Sequence, residues 1–140
     1  MTSLRIPARK ELLGTVNGFL AASLPEGFAG TLHKVELAVE ELLINICSYA
    51  YPQGGEGWVQ IECHPEKRDG GIFFCVRVRD WGPPFNPFTD ARVPDLGLPA
   101  NARPVGGLGI HLIKSVTARQ GYERRDGANV ATLYFAGADA

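Results

Sequence analysis

The residue pattern of this chain predicts an α+β fold. It is a two-layer α/β sandwich with a mixed sheet of about five strands and three helices on one face. Three observations carry that prediction. Apolar residues recur at helical spacing in three stretches. Five other stretches alternate, or are rich in β-branched and aromatic residues, and four of them flank Asp-Gly turn signals. The resulting order is strand, helix, helix, strand, strand, loop, helix, strand, strand, which suits one sheet covered by helices. At 140 residues the chain fits a single domain, 1–140.

Residues 4–8 read as a short strand, and Pro7 marks it as an edge, because proline has no N–H for a second neighbour. From Arg9 to Ala22, Leu12, Leu13, Val16, Phe19 and Leu20 form one apolar helical stripe. Pro25-Glu26-Gly27 breaks it. A longer helix is expected from Gly30 to Ala50, with Val35, Ala38, Val39, Leu42, Ile46 and Cys47 as its buried ladder; Pro52 and Gly54-Gly55 stop it. Strands at Trp58–Cys63 and Ile72–Arg79 enclose Arg68-Asp69-Gly70-Gly71, a hairpin signal. Trp81 to Val105 holds six prolines and no periodicity. Loops of that length inside compact domains are commonly functional. A helix from Leu108 to Arg119 follows. Strands at Tyr122–Arg125 and Val130–Phe135 then close the chain around Asp126-Gly127-Ala128-Asn129.

The bulk properties narrow the function by exclusion. Fourteen Lys+Arg stand against fifteen Asp+Glu, a net charge of -1 with no basic block, so neither nucleic acid nor an anionic membrane is the expected partner. No run reaches the roughly 20 apolar residues that span a bilayer, and the first residues lack a secretory layout. A cytoplasmic location is expected. Cys47, Cys63 and Cys75 are odd in number, far apart and in apolar surroundings, and read as buried free thiols of a reducing compartment. Cys63-His64 lacks the second ligand pair a zinc site needs. His111, just inside the third helix, reads as a packing residue.

Three stretches carry candidate chemistry. Glu41 and Asn45 are four apart on the long helix and project from one side of it, and Tyr49 continues the row. The row is either a solvated stripe or a site in which Asn45 offers its carbonyl oxygen to a hard cation and Glu41 acts as a base. Asp80-Trp81-Gly82 ends a strand. It is either a common turn or an acceptor for the exocyclic amine of a purine, with Gly82 allowing close approach. Gly106, Gly107 and Gly109 open a helix. They permit a tight junction, or they present backbone N–H groups to an anion. A dinucleotide fingerprint is excluded by Leu112 and by the proline-rich loop ahead of the turn. A P-loop is excluded because Lys114-Ser115 lies inside the helix.

Taken together, these stretches resemble the GHKL (Bergerat-fold) ATP-binding superfamily, which includes sensor histidine kinases, type II topoisomerases and mismatch-repair ATPases. Within it, the chain looks most like the stand-alone anti-sigma-factor serine/threonine kinases. Glu41-Leu-Leu-Ile-Asn45-Ile-Cys-Ser-Tyr49 is similar to their N-box, Asp80-Trp-Gly-Pro-Pro-Phe85 to their first glycine box, and Gly106-Gly-Leu-Gly-Ile-His-Leu-Ile113 to their second. The tail from Tyr122 to Asn129, with Thr132-Leu-Tyr-Phe135, is also similar.

The resemblance implies ATP and Mg²⁺ as ligands, with Asn45 on the metal, Glu41 as general base, and Asp80 with Gly82 reading adenine. Gly106, Gly107, Leu108 and Gly109 would bind phosphates, Thr132 would lie near adenine, and Tyr49 would stand near the phosphates where relatives often carry His. Residues 86–105 would form a mobile ATP lid, short of Lys, with Arg103 reaching the phosphates. The implied activity is phosphorylation of a STAS-domain anti-anti-sigma partner together with sequestration of a sigma factor, in a chain whose relatives commonly form homodimers. The alternative is a non-catalytic module that grips a partner in response to ATP. A detached sensor-kinase domain ranks third, because His33 lies inside the domain and the first 30 residues leave no room for a phospho-accepting helix pair.

Overall fold

A computed structural model describes residues 2–47, 57–89 and 107–137. Strand β1 (Thr2–Pro7) leads through a turn of 3-10 helix into helix α1 (Leu13–Ser23). A second 3-10 turn opens helix α2 (Leu32–Asn45), and strands β2 (Trp58–Arg68) and β3 (Gly71–Asp80) form a hairpin. Helix α3 (Gly107–Val116) precedes the closing hairpin of β4 (Arg119–Arg125) and β5 (Ala128–Ala136). The sequence places all of these elements in order, with ends that differ by a few residues. The predicted end of α2 at 48–50 lies outside the described residues.

The sheet runs β1-β2-β3-β5-β4, and every neighbouring pair is antiparallel, not mixed as expected. The reason is where the last hairpin docks. β3 and β4 point the same way and would form a parallel pair if adjacent, but β5 inserts between them and pairs antiparallel with both. β1 is an edge strand, as Pro7 predicts. β2 continues past Cys63 through Pro65 to Arg68. Its pairing with β1 ends at Thr2↔Cys63, so Pro65 lies where no β1 residue needs its missing N–H. Both hairpins turn on Asp-Gly. Asp69 and Gly70 have φ of 51 and 80, and Asp126 and Gly127 have φ of 52 and 78, the left-handed pair that a two-residue hairpin turn requires.

Strand alternation gives the sheet two distinct faces. On one lie Val59, Ile61 and Cys63 of β2, Phe74, Val76 and Val78 of β3, and Ala131, Leu133 and Phe135 of β5. They pack against Val16 and Leu20 of α1, Val35, Val39 and Leu42 of α2, and Ile113 of α3, which forms a single buried core. Phe28 meets Phe74 with ring centroids 6.3 Å apart. Truncating a fully buried ring such as Phe74 to Ala would cost about 3–5 kcal/mol.

Among the described residues, no helix covers the other face. There the Arg5 guanidinium lies 5.3 Å from the Trp58 ring centre and 5.0 Å from that of Trp81. Cys63 and His64 are neighbours on one strand and therefore point to opposite faces, so they cannot share a ligand. All three cysteines are unbridged. Cys63 and Cys75 are buried, and burial pushes them up to about 12 and about 11, while Cys47 is only half-buried. His111 is exposed rather than packed, because Ile110 and Ile113 take the inward positions of α3.

Candidate functional site

The site begins with register. Ile6, Val59, Asp80, Asn129 and Arg124 are successive cross-strand partners, one residue from each strand, in a row across one end of the sheet. Asp80 is two residues beyond core-facing Val78, so its side chain points toward the helical layer, where it is 2% exposed.

Two hydrogen bonds fix the Asp80 carboxylate, and both fall on one oxygen. The Gly82 N–H donates to Oδ1 at 3.0 Å and Asn129 Nδ2 donates to it at 2.9 Å. That arrangement orients Oδ2 for a further donor. Burial raises the Asp80 pKa above 3.8; the two hydrogen bonds and the nearby Arg124 charge partly oppose the rise. Arg124 also donates to the Gly82 carbonyl at 2.7 Å, tying the turn to β4.

Asn129 is the residue that sequence reasoning missed. It is 2% exposed and uses its whole amide. Nδ2 donates to Asp80 and, at 2.8 Å, to the Pro83 carbonyl. Oδ1 accepts from the Phe85 N–H at 2.9 Å and from the Tyr122 hydroxyl at 2.6 Å. One side chain thus fastens the start of the long proline-rich segment to the sheet. Asn86 continues the order locally, accepting from the Phe88 N–H at 2.9 Å.

The role expected of Thr132 is corrected by the same register. It alternates with Ala131 and Leu133 of the core, pairs with Arg77 and Gly121, and faces the side of the sheet away from Asp80. Parity within β5 held the signal: residues 129, 131, 133 and 135 share a face, and 132 does not.

Helix α2 supplies the second part. Leu43, Ile44 and Cys47 line a narrow gap with Ile6 and Val59, so the end of α2 lies over the row that contains Asp80. Asn45, in that last turn, is 0% exposed, and neither its Oδ1 nor its Nδ2 has a hydrogen-bond partner among the described residues. A buried amide left this way costs about 1–3 kcal/mol, which is tolerated where a ligand completes it. Its oxygen is the donor type that a hard cation takes, so the Mg²⁺ assignment fits.

Glu41 lies one turn earlier and about 6 Å along the helix axis. Burial, followed by the Glu40 charge, raises its pKa above 4.5.

Helix α3 is the third part. A Cβ placed on Gly109 would lie 2.5 Å from Glu41 Oε2, so the first turn of α3 approaches too closely for a side chain unless the carboxylate moves. Gly107 opens that helix, and the backbone of Leu108 follows it. The glycine turn and Glu41 are therefore brought together, as the spacing suggests. Tyr49, Arg103 and Gly106 lie outside the described residues, as does the lid beyond Thr89. No helix among the described residues is long and apolar enough to cross a membrane.

Comparison with known proteins agrees with this geometry. No curated protein matches the chain. The family model described as a histidine kinase-like ATPase domain matches residues 6–135, from the edge strand through the last core residue of β5. By that match the chain belongs to the histidine kinase-like ATPase domain family, whose members bind ATP.

Proposed function

We propose that this domain binds ATP with Mg²⁺ and transfers the γ-phosphoryl group to a serine or threonine hydroxyl of a STAS-domain anti-anti-sigma partner, while sequestering a sigma factor in the cytoplasm. The observation that carries the reading is the pairing of Asn45, a buried amide awaiting a ligand, with Glu41, a partly desolvated carboxylate one turn away.

Asp80 Oδ2 would accept the adenine amine while Gly82 and Asn129 hold the other oxygen. The backbone of Gly106, Gly107, Leu108 and Gly109 would face the phosphates at the start of α3. Tyr49 and Arg103 are assigned to the phosphates by sequence position alone. Bound Mg²⁺, held through Asn45, would neutralise charge that develops on the phosphate oxygens. Glu41 would take the proton of the attacking hydroxyl. Burial and the neighbouring Glu40 charge raise its pKa, which makes it a stronger base than an exposed glutamate.

The test is transfer of labelled γ-phosphate from ATP to a candidate STAS-domain protein. Wild type should label a serine or threonine, and Glu41→Ala should lower transfer by about 10²–10⁴-fold with ATP affinity kept. Full transfer by that variant would overturn Glu41 as base. Partner binding that depends on ATP, with no transfer, would support the non-catalytic module instead.

A further inference from the structure

The sheet face away from the helices holds a hollow of ≈ 250 Å³, lined by residues of β3, β4 and β5 and by Arg68 at the end of β2. Its floor is the paired row Arg77–Thr132–Gly121, and Gly121 contributes no side chain to fill it. We propose that this hollow is a second binding site, for a small multivalent oxyanion, separate from the nucleotide site on the helical side. The proposal does not rest on the nucleotide reading and would survive its failure.

Charge is the first argument. Arg68, Arg77 and Arg119 line the hollow against one acid, Glu123, which already lies 3.7 Å from Arg125. Arg68 is engaged by Glu66 at 3.2 Å. Arg77 is half-buried; its cross-strand neighbour Glu62 pairs with Arg79 at 3.8 Å, and no carboxylate among the described residues forms an ion pair within 4 Å with Arg77 or Arg119. A guanidinium that lines an open hollow without an ion pair is held by water, which an anion can displace to form charge-assisted hydrogen bonds.

Geometry is the second argument. β3 and β4 are separated by β5, and Arg119 is level with Tyr134, two residues along from Thr132 opposite Arg77, so the backbones at Arg77 and Arg119 are about 12 Å apart. Two side chains converging from that distance can clasp opposite ends of a compact ligand. The Thr132 hydroxyl between them offers a further donor. The ring of Tyr134, with the Arg68 and Arg119 guanidinium carbons 5.0 and 5.9 Å from its centre, walls one side. Phosphate and carboxylate ligands share this chemistry.

The test is titration of the full chain, without Mg²⁺, with pyrophosphate and separately with citrate, followed by the backbone amide signals of Gly121, Thr132 and Gly109. Saturable shifts at Gly121 and Thr132, without a shift at Gly109, are expected with at least one probe. The tighter probe identifies the ligand as phosphate or carboxylate. Arg77→Gln should weaken binding about tenfold or more.

Gly121→Val gives a variant that keeps the fold, since nothing lies within 4 Å of a Cβ there and valine suits a strand. It should unfold as cooperatively as wild type and lose the shifts. Absence of saturable shifts with both probes, or shifts unchanged in Arg77→Gln, would overturn the site. So would a dimer that buries this face and ignores both anions.

Discussion

Two asparagines among the described residues are buried, and the fold treats them in opposite ways. Asn129, 2% exposed, has two donor bonds and two acceptor bonds inside the protein. Asn45, 0% exposed, has none among the described residues. The first amide is structural, holding Asp80, the Gly82 turn and the start of the proline-rich segment in one arrangement before any ligand arrives. The second is incomplete until a ligand is bound. On the proposed function, the adenine end would be built by the fold and the metal end finished by what it binds.

The largest expected effect breaks the structural amide. Asn129→Ala leaves the Phe85 N–H, the Tyr122 hydroxyl and the Pro83 carbonyl without their partner, and should destabilise the protein by about 3–4 kcal/mol. Urea denaturation measures it. A loss of less than about 1 kcal/mol would mean that water replaces the amide and the network does not fix the turn.

Asp80→Asn comes next and separates binding from folding. The Asn oxygen can still accept from Gly82 and Asn129, while the outer atom becomes a donor and repels an amine. ATP affinity should fall by about 2–3 kcal/mol, roughly 30- to 150-fold, with the fold kept.

Stability should move the other way, and the sign follows from the raised pKa. Folded Asp80 holds more protons than unfolded Asp80 between 3.8 and its raised value, so its contribution to stability falls as pH rises through that window. The unliganded variant should therefore gain on wild type across the same window and keep that gain at neutral pH. Equal pH slopes for the two proteins would show that Asp80 is not desolvated.

Asn45→Leu sharpens the contrast with a smaller effect of opposite sign. The side chains are similar in volume, and leucine removes two buried polar atoms that lack partners. The unliganded protein should be stabilised by about 1–2 kcal/mol, and the Mg²⁺ dependence of ATP binding should disappear. Destabilisation comparable to that of Asn129→Ala would mean that Asn45 is also part of the scaffold.

The two asparagines also mark what the sequence discloses. Asn45 is legible because helical spacing is local: Glu41 and Asn45 must share a side of α2 whatever surrounds them. The hairpins are legible for the same reason, each written in an Asp-Gly pair. Asn129 is not legible as a partner of Asp80, because their adjacency depends on β5 docking between β3 and β4. That is a choice made by long-range pairing, and no local pattern records it. Once β5 takes that position the sheet becomes wholly antiparallel, and parity carries Thr132 to the far face. β2 beyond Cys63 was hidden by Pro65, whose penalty vanishes where β1 ends, again a fact about a neighbour.

Gly109→Ala should have the smallest effect on stability and tests the helical side alone. Alanine favours a helix over glycine by about 1 kcal/mol. Against that, its Cβ would meet Glu41 Oε2 at 2.5 Å, and the carboxylate can swing aside at modest cost. The two effects oppose, so the urea midpoint should stay within about 1 kcal/mol of wild type. Function has no such compensation. A base must lie within hydrogen-bond reach of the proton it takes, and a displaced Glu41 does not. Phosphoryl transfer should therefore drop at least about tenfold while ATP affinity changes little. Full transfer by Gly109→Ala would show that the approach of α3 to Glu41 is only packing, and that the glycine is needed for a tight helix junction and nothing more.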